Sequence, residues 1–324
     1  MMKKPKGEFF IKIAVAGYGN LGKSIIGAVA NFPDIELTGV FTRRDPKTIT
    51  DARCSVFSFD DILNYKKQID VLIITFGSSN DLEENTIRLA EHFNTVDSFD
   101  MHNRIGKYRE RLNNVAGCGN HLSLVSTGWD PGLMSLARLY FASFMPYANV
   151  TSIWGEGVSQ GHSEALRNID GVKYAIQYTV PLAASREAAY RGEFVSAGEL
   201  HKRVCYVVCE KNDRKRIAEQ IKNTEGYFRG YETEIYFITE DEFFEKHTRL
   251  YHKGEVISVG KTGDNTQLAT FSLKLDSNPD FTANILLASA RAVDRLHKEG
   301  AVGAISIFDI PPRFFIHGEY GGML

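Results

Sequence analysis

The chain has 324 residues, of which 43% are hydrophobic and 24% are charged, and its formal net charge is −2. This length accommodates two domains, and the near-neutral charge argues against a dedicated nucleic-acid-binding protein. No apolar run approaches the ~20 residues that cross a bilayer, and the basic N-terminus passes too soon into a strand to act as a signal peptide. We therefore expect a cytoplasmic protein with no membrane and no nucleic-acid partner.

The first predicted element is a strand over residues 10–16, which opens into a glycine-rich turn. A Gly-x-Gly-x-x-Gly turn between a strand and a helix is typical of dinucleotide-binding βαβ units. The first glycine permits the tight turn, the second lets the backbone approach a pyrophosphate, and the third lets helix and strand pack closely. The predicted cofactor-binding glycines of this turn are Gly17, Gly19 and Gly22.

The second predicted strand ends in Thr42, Arg43 and Arg44. An NAD site usually has an acidic residue here, which accepts a hydrogen bond from the ribose 2′-OH. Two guanidinium groups instead suit a 2′-phosphate, so the sequence predicts NADP(H). The alternative interpretation is an ordinary strand-to-helix turn followed by a solvated basic pair.

Strands and helices then alternate to about residue 127, which predicts an α/β fold with a Rossmann-like, doubly wound N-terminal domain. Ligands of such a domain bind beyond the carboxyl ends of the strands, in the predicted loops 17–22, 42–45, 76–80, 97–102 and 127–132. After Trp129, six predicted strands are joined mostly by turns, which predicts a C-terminal α+β domain. We expect residues 1–127, completed by about 300–324, to form the dinucleotide-binding domain and residues 128–299 the substrate domain.

Polar residues in these loops are candidates for chemistry. Asp100 and Asp130 each follow a predicted strand end, and together they could face one cationic group of a substrate. Singly, Asp100 could be a simple cap and Asp130 could begin a turn with Pro131. Arg203 could hold a carboxylate bidentately, although a basic triplet beside a loop is more often a solvated face. The four scattered cysteines and the histidine spacing predict no metal site and no disulfide framework.

Taken together, these segments resemble the meso-diaminopimelate dehydrogenase family. The resemblance covers most of the chain and rests on six motifs, which begin at Val15, Thr95, Ser126, Ser159, His201 and Lys274. It implies NADP-dependent, reversible oxidative deamination of the D-centre of meso-2,6-diaminopimelate. The products would be ammonia and L-2-amino-6-oxopimelate, which cyclises to tetrahydrodipicolinate, a precursor for lysine and peptidoglycan. It also implies a homodimer and a C-terminal domain that serves dimerisation as well as substrate binding.

The resemblance also implies roles for single residues. Asp100, Trp129 and Asp130 would contact the reacting D-end, with Asp100 and Asp130 as the catalytic pair. Trp154, Gln160 and Gly161 would line the substrate cleft. The distal L-centre would be held by Thr179, Arg203, His252 and Asn278. On the coenzyme side, the three glycines of the turn and the Thr42–Arg44 segment would be joined by Tyr18, Asn20, Leu21, Gly77 and Ser78.

Two other functions remain open at the level of sequence. One is a different NADP-dependent oxidoreductase of aspartate-family metabolism, such as a homoserine dehydrogenase or a dihydrodipicolinate reductase. The other is a protein that senses NADP(H) without turnover. The Thr-Gly-Trp-Asp-Pro-Gly loop at residues 127–132 argues against the first, and the paired aspartates would have no purpose in the second.

Overall fold

The computed structural model describes residues 10–78, 81–319 and 321–323. The chain divides into two compact units, Met1–Leu133 with Pro279–Leu324, and Met134–Asn278. Residues 79 and 80 of the predicted loop 76–80 lie outside the described residues, as do residues 1–9, 320 and 324 of the predicted nucleotide-binding domain.

The strands, in chain order, are β1 (Ile11–Ala16), β2 (Ile35–Thr42), β3 (Val56–Ser58), β4 (Val71–Ile74), β5 (Asn94–Asp97), β6 (Leu122–Leu124), β7 (Asn149–Trp154), β8 (Gly157–Val158), β9 (Val172–Pro181), β10 (His201–Cys209), β11 (Thr233–Phe237), β12 (His252–Thr262), β13 (Asn265–Leu275) and β14 (Gly303–Ile305). The helices are α1 (Asn20–Ala28), α2 (Leu82–Ala90), α3 (Ile105–Cys118), α4 (Leu133–Phe144), α5 (Gln160–Arg167), α6 (Ala183–Tyr190), α7 (Ala197–Leu200), α8 (Arg214–Asn223), α9 (Glu240–Lys246) and α10 (Asn278–Lys298).

The first unit is built on a seven-stranded parallel sheet in the order β14-β6-β5-β4-β1-β2-β3. Alternate residues of its central strands are buried on opposite faces: Val15 and Ile73 lie in one apolar cluster, and Ala14 and Leu72 lie in the other. Such strands read as continuous apolar runs because both faces are covered. The predicted doubly wound fold is confirmed, and β1 and β4 flank the switch point at which ligands of such sheets bind.

Helix α10 belongs to this first unit, not to the substrate domain in which the predicted boundary at 299 placed it. Its residues Ala283, Leu286 and Leu287 are fully buried in the same cluster as Val15 and Ile73. Amphipathic periodicity predicts that a helix forms, but it does not tell which sheet the helix covers. The chain therefore returns to the first unit at Pro279, and β14 then pairs with β6.

The second unit contains a mixed four-stranded sheet, β11-β10-β9-β8, and an antiparallel three-stranded sheet, β13-β12-β7. This is the predicted α+β organisation. The antiparallel pairing of β9 with β10 places Arg203 opposite Thr179. Side chains of directly opposite residues project from the same face of a sheet, so this register brings two predicted site residues together.

Candidate functional site

The glycine turn has the geometry that a bound pyrophosphate needs. Gly17 has φ +118°, and a Cβ there would lie 2.5 Å from the Thr75 hydroxyl. A Cβ on Gly22 would lie 2.3 Å from the Gly17 carbonyl oxygen, so both positions exclude larger residues. A Cβ on Gly19, in contrast, would meet no described atom within 4 Å. Gly19 precedes the first turn of α1, whose free N–H groups point outward and favour an anion in that open space.

The basic pair at the end of β2 packs against this turn. Arg44 donates from Nη2 to the Tyr18 carbonyl oxygen at 2.5 Å, and its backbone N–H donates to the Thr42 hydroxyl at 3.2 Å. Arg43 pairs with Asp81 and lies 4.8 Å from the centre of the Phe76 ring. The structure thus brings Tyr18, Thr42 and both arginines together beside the anion-binding turn, which suits a second phosphate.

The loop after β4 connects the predicted coenzyme residues to the predicted reacting-end residues. Gly77 and Ser78 lie in this loop, and the Ser78 hydroxyl accepts a hydrogen bond from the Asp100 backbone N–H at 3.1 Å. The Asp100 carboxyl has one oxygen, Oδ1, that is buried and has no hydrogen-bond partner among the described residues. Burial raises the pKa of this carboxyl, although Ser78 and His102 act in the opposite direction. An acid of this kind is suited to accept a proton or to bind an ammonium group.

The next loop holds Trp129, which is only 8% exposed, and Asp130. It leaves β6 beside β5, and its Thr127 N–H donates to the Asp97 carbonyl oxygen at 2.8 Å. The loops of Asp100 and Asp130 are therefore joined at their bases. All three predicted reacting-end residues lie in the first unit.

The predicted distal-end residues lie in the second unit, and Arg203 is their centre. Its Nη1 donates to the Thr179 hydroxyl at 2.8 Å, and its guanidinium lies 4.3 Å from the centre of the Tyr231 ring. The side chain of Gln177 donates to the same hydroxyl at 3.3 Å. Arg203 is only 6% exposed, yet it forms no ion pair with any described carboxylate, and its Nε has no partner there. Burial lowers the pKa of Arg203, as expected of a cation that lacks a counter-ion.

The short strand β8 connects the other residues of this set. Gly157 pairs with Thr179 on one side, and on the other side its Cβ position lies 2.3 Å from the His252 Cα. Asn278 donates to the Val158 carbonyl oxygen at 3.4 Å. Helix α5 begins immediately afterwards with Gln160 and Gly161. Because β8 contacts both Thr179 and His252, the predicted substrate residues near it lie in the same part of the second unit.

Trp154 is held by a histidine. Its backbone N–H donates to His201 Nε2 at 2.7 Å, and the two rings lie 5.2 Å apart. Burial, with Arg203 and His252 nearby, lowers the pKa of His201 to about 3, so the ring is neutral at pH 7. Since Nε2 accepts, the remaining proton is on Nδ1, which is buried without a partner among the described residues.

Comparisons with known proteins identify the family of this chain. A family model described as the diaminopimelic acid dehydrogenase C-terminal domain matches residues 128–277. The meso-diaminopimelate D-dehydrogenase of Ureibacillus thermosphaericus is 44% identical over 306 residues, which cover 93% of this chain and 94% of that protein. The chain belongs to the meso-diaminopimelate D-dehydrogenase family. The Corynebacterium glutamicum member of that family is 41% identical over 307 residues, with the same coverage of both chains.

Two solved structures resemble this meso-diaminopimelate D-dehydrogenase family member over nearly its full length. One is the C. glutamicum DAP dehydrogenase in complex with DAP, with a TM-score of 0.92, 39% identity and coverage of 95% of this chain and 96% of that one. The other is an engineered D-amino acid dehydrogenase bound to NADP+, with a TM-score of 0.93, 37% identity and coverage of 97% and 98%.

Some residues that contact the candidate site were not selected from the sequence: Asp97, Gln177, His201 and Tyr231. Two of them had a usable signal, because alternate residues of a strand share a face. Gln177 precedes Thr179 by two positions, and His201 precedes Arg203 by two. Tyr231 and Asp97 had no such signal, since their contacts depend on how separate segments pack.

In the part of the chain that the structure describes, no helix is long and apolar enough to cross a bilayer. No group of three or more histidine, cysteine, aspartate or glutamate residues there is arranged to hold a metal ion.

Proposed function

We propose that this chain catalyses the reversible, NADP-dependent oxidative deamination of the D-centre of meso-2,6-diaminopimelate. The substrate, NADP+ and water give L-2-amino-6-oxopimelate, ammonia, NADPH and a proton. The oxo-acid then cyclises to tetrahydrodipicolinate. In the reverse direction the reaction supplies precursors for lysine and peptidoglycan.

One observation carries this proposal most directly, namely the buried and unpaired Arg203. A buried cation without a counter-ion is unfavourable, so the residue is retained for a ligand that supplies the missing negative charge. The distal carboxylate of diaminopimelate would supply it. Thr179 orients the guanidinium, and the remaining donors of Arg203, together with His252 and Asn278, would hold the L-end. Trp154, Gln160 and Gly161 would line the chain of the substrate.

At the reacting end, Asp100 and Asp130 would bind the ammonium group of the D-centre. That nitrogen must lose a proton before hydride leaves the carbon, because only the free amine can donate its electron pair to the developing iminium. We assign this proton to Asp100, whose buried Oδ1 and raised pKa support the role. Water then adds to the iminium carbon, and ammonia leaves.

The residues present fit the coenzyme. The open space at Gly19 and the first turn of α1 would hold its pyrophosphate, Arg43 and Arg44 its 2′-phosphate, and Gly77 and Ser78 would adjoin its nicotinamide half. When bound, NADP+ accepts a hydride at nicotinamide C4. The contribution of this chain is orientation, since hydride transfer requires the reacting carbon to lie about 3–3.5 Å from the ring.

We also propose that the protein is a homodimer in the cytoplasm. The second unit exposes several large apolar side chains, which supports a protein interface there: Phe144 (77% exposed), Tyr147 (96%) and Phe194 (85%). All four cysteines are free thiols, as expected in a reducing compartment. Light scattering after gel filtration tests the dimer, and a monomer at micromolar concentration would contradict it.

The decisive experiment is absorbance at the NADPH band after purified protein is mixed with NADP+ and meso-diaminopimelate. We expect NADPH and ammonia in equal amounts. The matched controls are LL-diaminopimelate, which lacks a D-centre, and NAD+, which lacks the 2′-phosphate; both should react far more slowly. Equal rates with the LL-isomer would contradict the proposed stereochemistry, and no NADPH with the meso-isomer would refute the function.

A further inference from the structure

The carboxylate of Asp97 lies at the point where the two reacting-end loops begin. It ends β5, and the residue is 0% exposed. Its Oδ1 accepts from the Phe99 N–H at 3.0 Å and from the Ser126 N–H at 2.9 Å. Its Oδ2 accepts from the Tyr108 hydroxyl at 2.6 Å. Two of these donors are backbone groups of different loops, so a single side chain joins the segment that leads to Asp100 with the one that leads to Asp130.

The second loop depends on this side chain more than the first. Ser126 has φ +54°, a left-handed conformation that is unfavourable for a residue other than glycine. The hydroxyls of Ser126 and Thr127 are buried and have no hydrogen-bond partner among the described residues. The bonds that hold this turn to β5 therefore come from Asp97, through its carboxylate to Ser126 N–H and through its carbonyl oxygen to Thr127 N–H.

The surroundings of Asp97 are not those of an ion pair. The three groups that donate to its carboxylate are neutral. Tyr108 is itself buried, and its ring lies 4.8 Å from that of Phe99. Burial raises the pKa of Asp97, while the three hydrogen bonds act in the opposite direction. The carboxylate is held by hydrogen bonds alone, and these bonds fix the relative positions of the segments that donate to it.

We propose that Asp97 is a positioning residue, which sets the distance between Asp100 and the Trp129–Asp130 pair. This inference rests on the proposed function, since those residues are assigned to the reacting end there. The Tyr108 hydroxyl holds the carboxylate in the orientation in which one oxygen reaches both loops.

The first test does not depend on catalysis. The chain has two tryptophans, Trp129 and Trp154, so in a Trp154→Phe background the fluorescence reports Trp129 alone. Asp97→Ala should shift this emission to the red, because the loop loses its anchor and Trp129 gains exposure. The matched control is Thr95→Ala, which removes another buried bond between β5 and β6, from Thr95 to Ser123 at 2.8 Å. It should leave the emission unchanged.

The second test is kinetic and uses the otherwise unaltered chain. Asp97→Ala should lower kcat with meso-diaminopimelate by ~100-fold, the loss expected for a misplaced reacting group, and leave the Kd for NADPH unchanged. Asp97→Asn should restore most of kcat, because its amide oxygen still accepts both backbone N–H groups. If Asp97→Ala fails to fold, Tyr108→Phe takes its place, with a smaller but measurable loss of kcat and unchanged NADPH binding.

The outcomes separate this proposal from the proposed function. Inactive wild-type protein would refute the function, whereas the red shift of Trp129 would still support the positioning role. The proposal is overturned if Trp129 emission and kcat both stay at wild-type values in Asp97→Ala. It is also overturned if Thr95→Ala changes Trp129 emission and kcat as much as Asp97→Ala does. If Asp97→Ala does not fold, the proposal is overturned by a Tyr108→Phe variant that keeps full kcat.

Discussion

Two buried arginines, one in each unit, differ in what surrounds their charge. Arg291 on α10 is 3% exposed and donates to both carboxylate oxygens of Asp34 at 2.5 Å and to the Phe315 carbonyl oxygen at 2.6 Å. Arg203 is 6% exposed and has a hydroxyl and an aromatic ring where Arg291 has a carboxylate. Both stack on an aromatic residue, Phe32 or Tyr231. Burial alone therefore does not distinguish the two arginines, whereas the presence of a counter-ion does.

The largest expected effect concerns the paired arginine. Arg291→Met leaves the half-buried Asp34 carboxylate without its partner, so the free energy of unfolding should fall by about 3–5 kcal/mol. Urea denaturation measures this loss. The KM for diaminopimelate should not change, because Arg291 serves the first unit's structure. A loss under about 1 kcal/mol would contradict the structural role of the Arg291–Asp34 pair.

The unpaired arginine should respond in the opposite way. Arg203→Met removes the partner proposed for the distal carboxylate, so the KM for meso-diaminopimelate should rise by ~30-fold or more, which corresponds to about 2–5 kcal/mol. The free energy of unfolding should stay equal or increase, because a buried cation without a counter-ion has been replaced by an apolar side chain of similar size. Unchanged NADPH binding is the internal control. A variant with normal KM and reduced stability would show that Arg203 is structural after all.

Arginines at the surface should matter less than either buried one. Arg43 is 56% exposed in its side chain, so water already screens its charge. Replacing Arg43 and Arg44 together by alanine should weaken NADP+ binding by about 2 kcal/mol, or ~30-fold, and leave NAD+ binding nearly unchanged. Titration of protein fluorescence with each coenzyme measures both. Equal losses for the two coenzymes would contradict the assignment of the pair to the 2′-phosphate.

The smallest effect is a dependence on pH. Burial alone would raise the pKa of Asp34, but the hydrogen bonds and charge of Arg291 lower it overall. The folded state therefore binds this proton more weakly than the unfolded chain, so the pair stabilises the protein above the unfolded pKa of ~3.9 and loses that effect as the pH falls through the lower folded pKa. The stability difference between wild type and Arg291→Met should shrink over that range, and a constant difference would argue against the ion pair.

Sequence alone predicted the glycine turn better than it predicted Arg203, for a physical reason. The turn from Gly17 to Gly22 can be predicted because its backbone conformation and close packing restrict which residues it accepts. The structure shows such close contacts at both of its ends. The family resemblance pointed to Arg203, whereas the basic triplet at residues 201–203 alone favoured a solvated face. What makes it distinctive is the register of β9 against β10 and the ring of Tyr231, which lies far away in sequence.

The same limit applies to the ends of the domains and to the supports of the site. The apolar periodicity of α10 predicts a helix but does not tell which core the helix completes. The predicted boundary at 299 was therefore too late, and the chain returns to the first unit at Pro279. Asp97 reads as the last residue of a strand, and nothing near it in sequence indicates that Ser126 would be its partner. Pairings between distant segments arise from packing, which a single sequence does not display.

The discontinuity of the first unit has a consequence for how the protein is made. The ribosome releases all of Met134–Asn278 before α10 leaves its exit tunnel, although α10 covers the sheet face that contains Val15 and Ile73. Until then this apolar face of the nascent chain lacks its helix and is exposed to chaperones or to aggregation. The glycine turn is synthesised before the second unit, yet the sheet that supports it is completed only after that unit, when β14 pairs with β6.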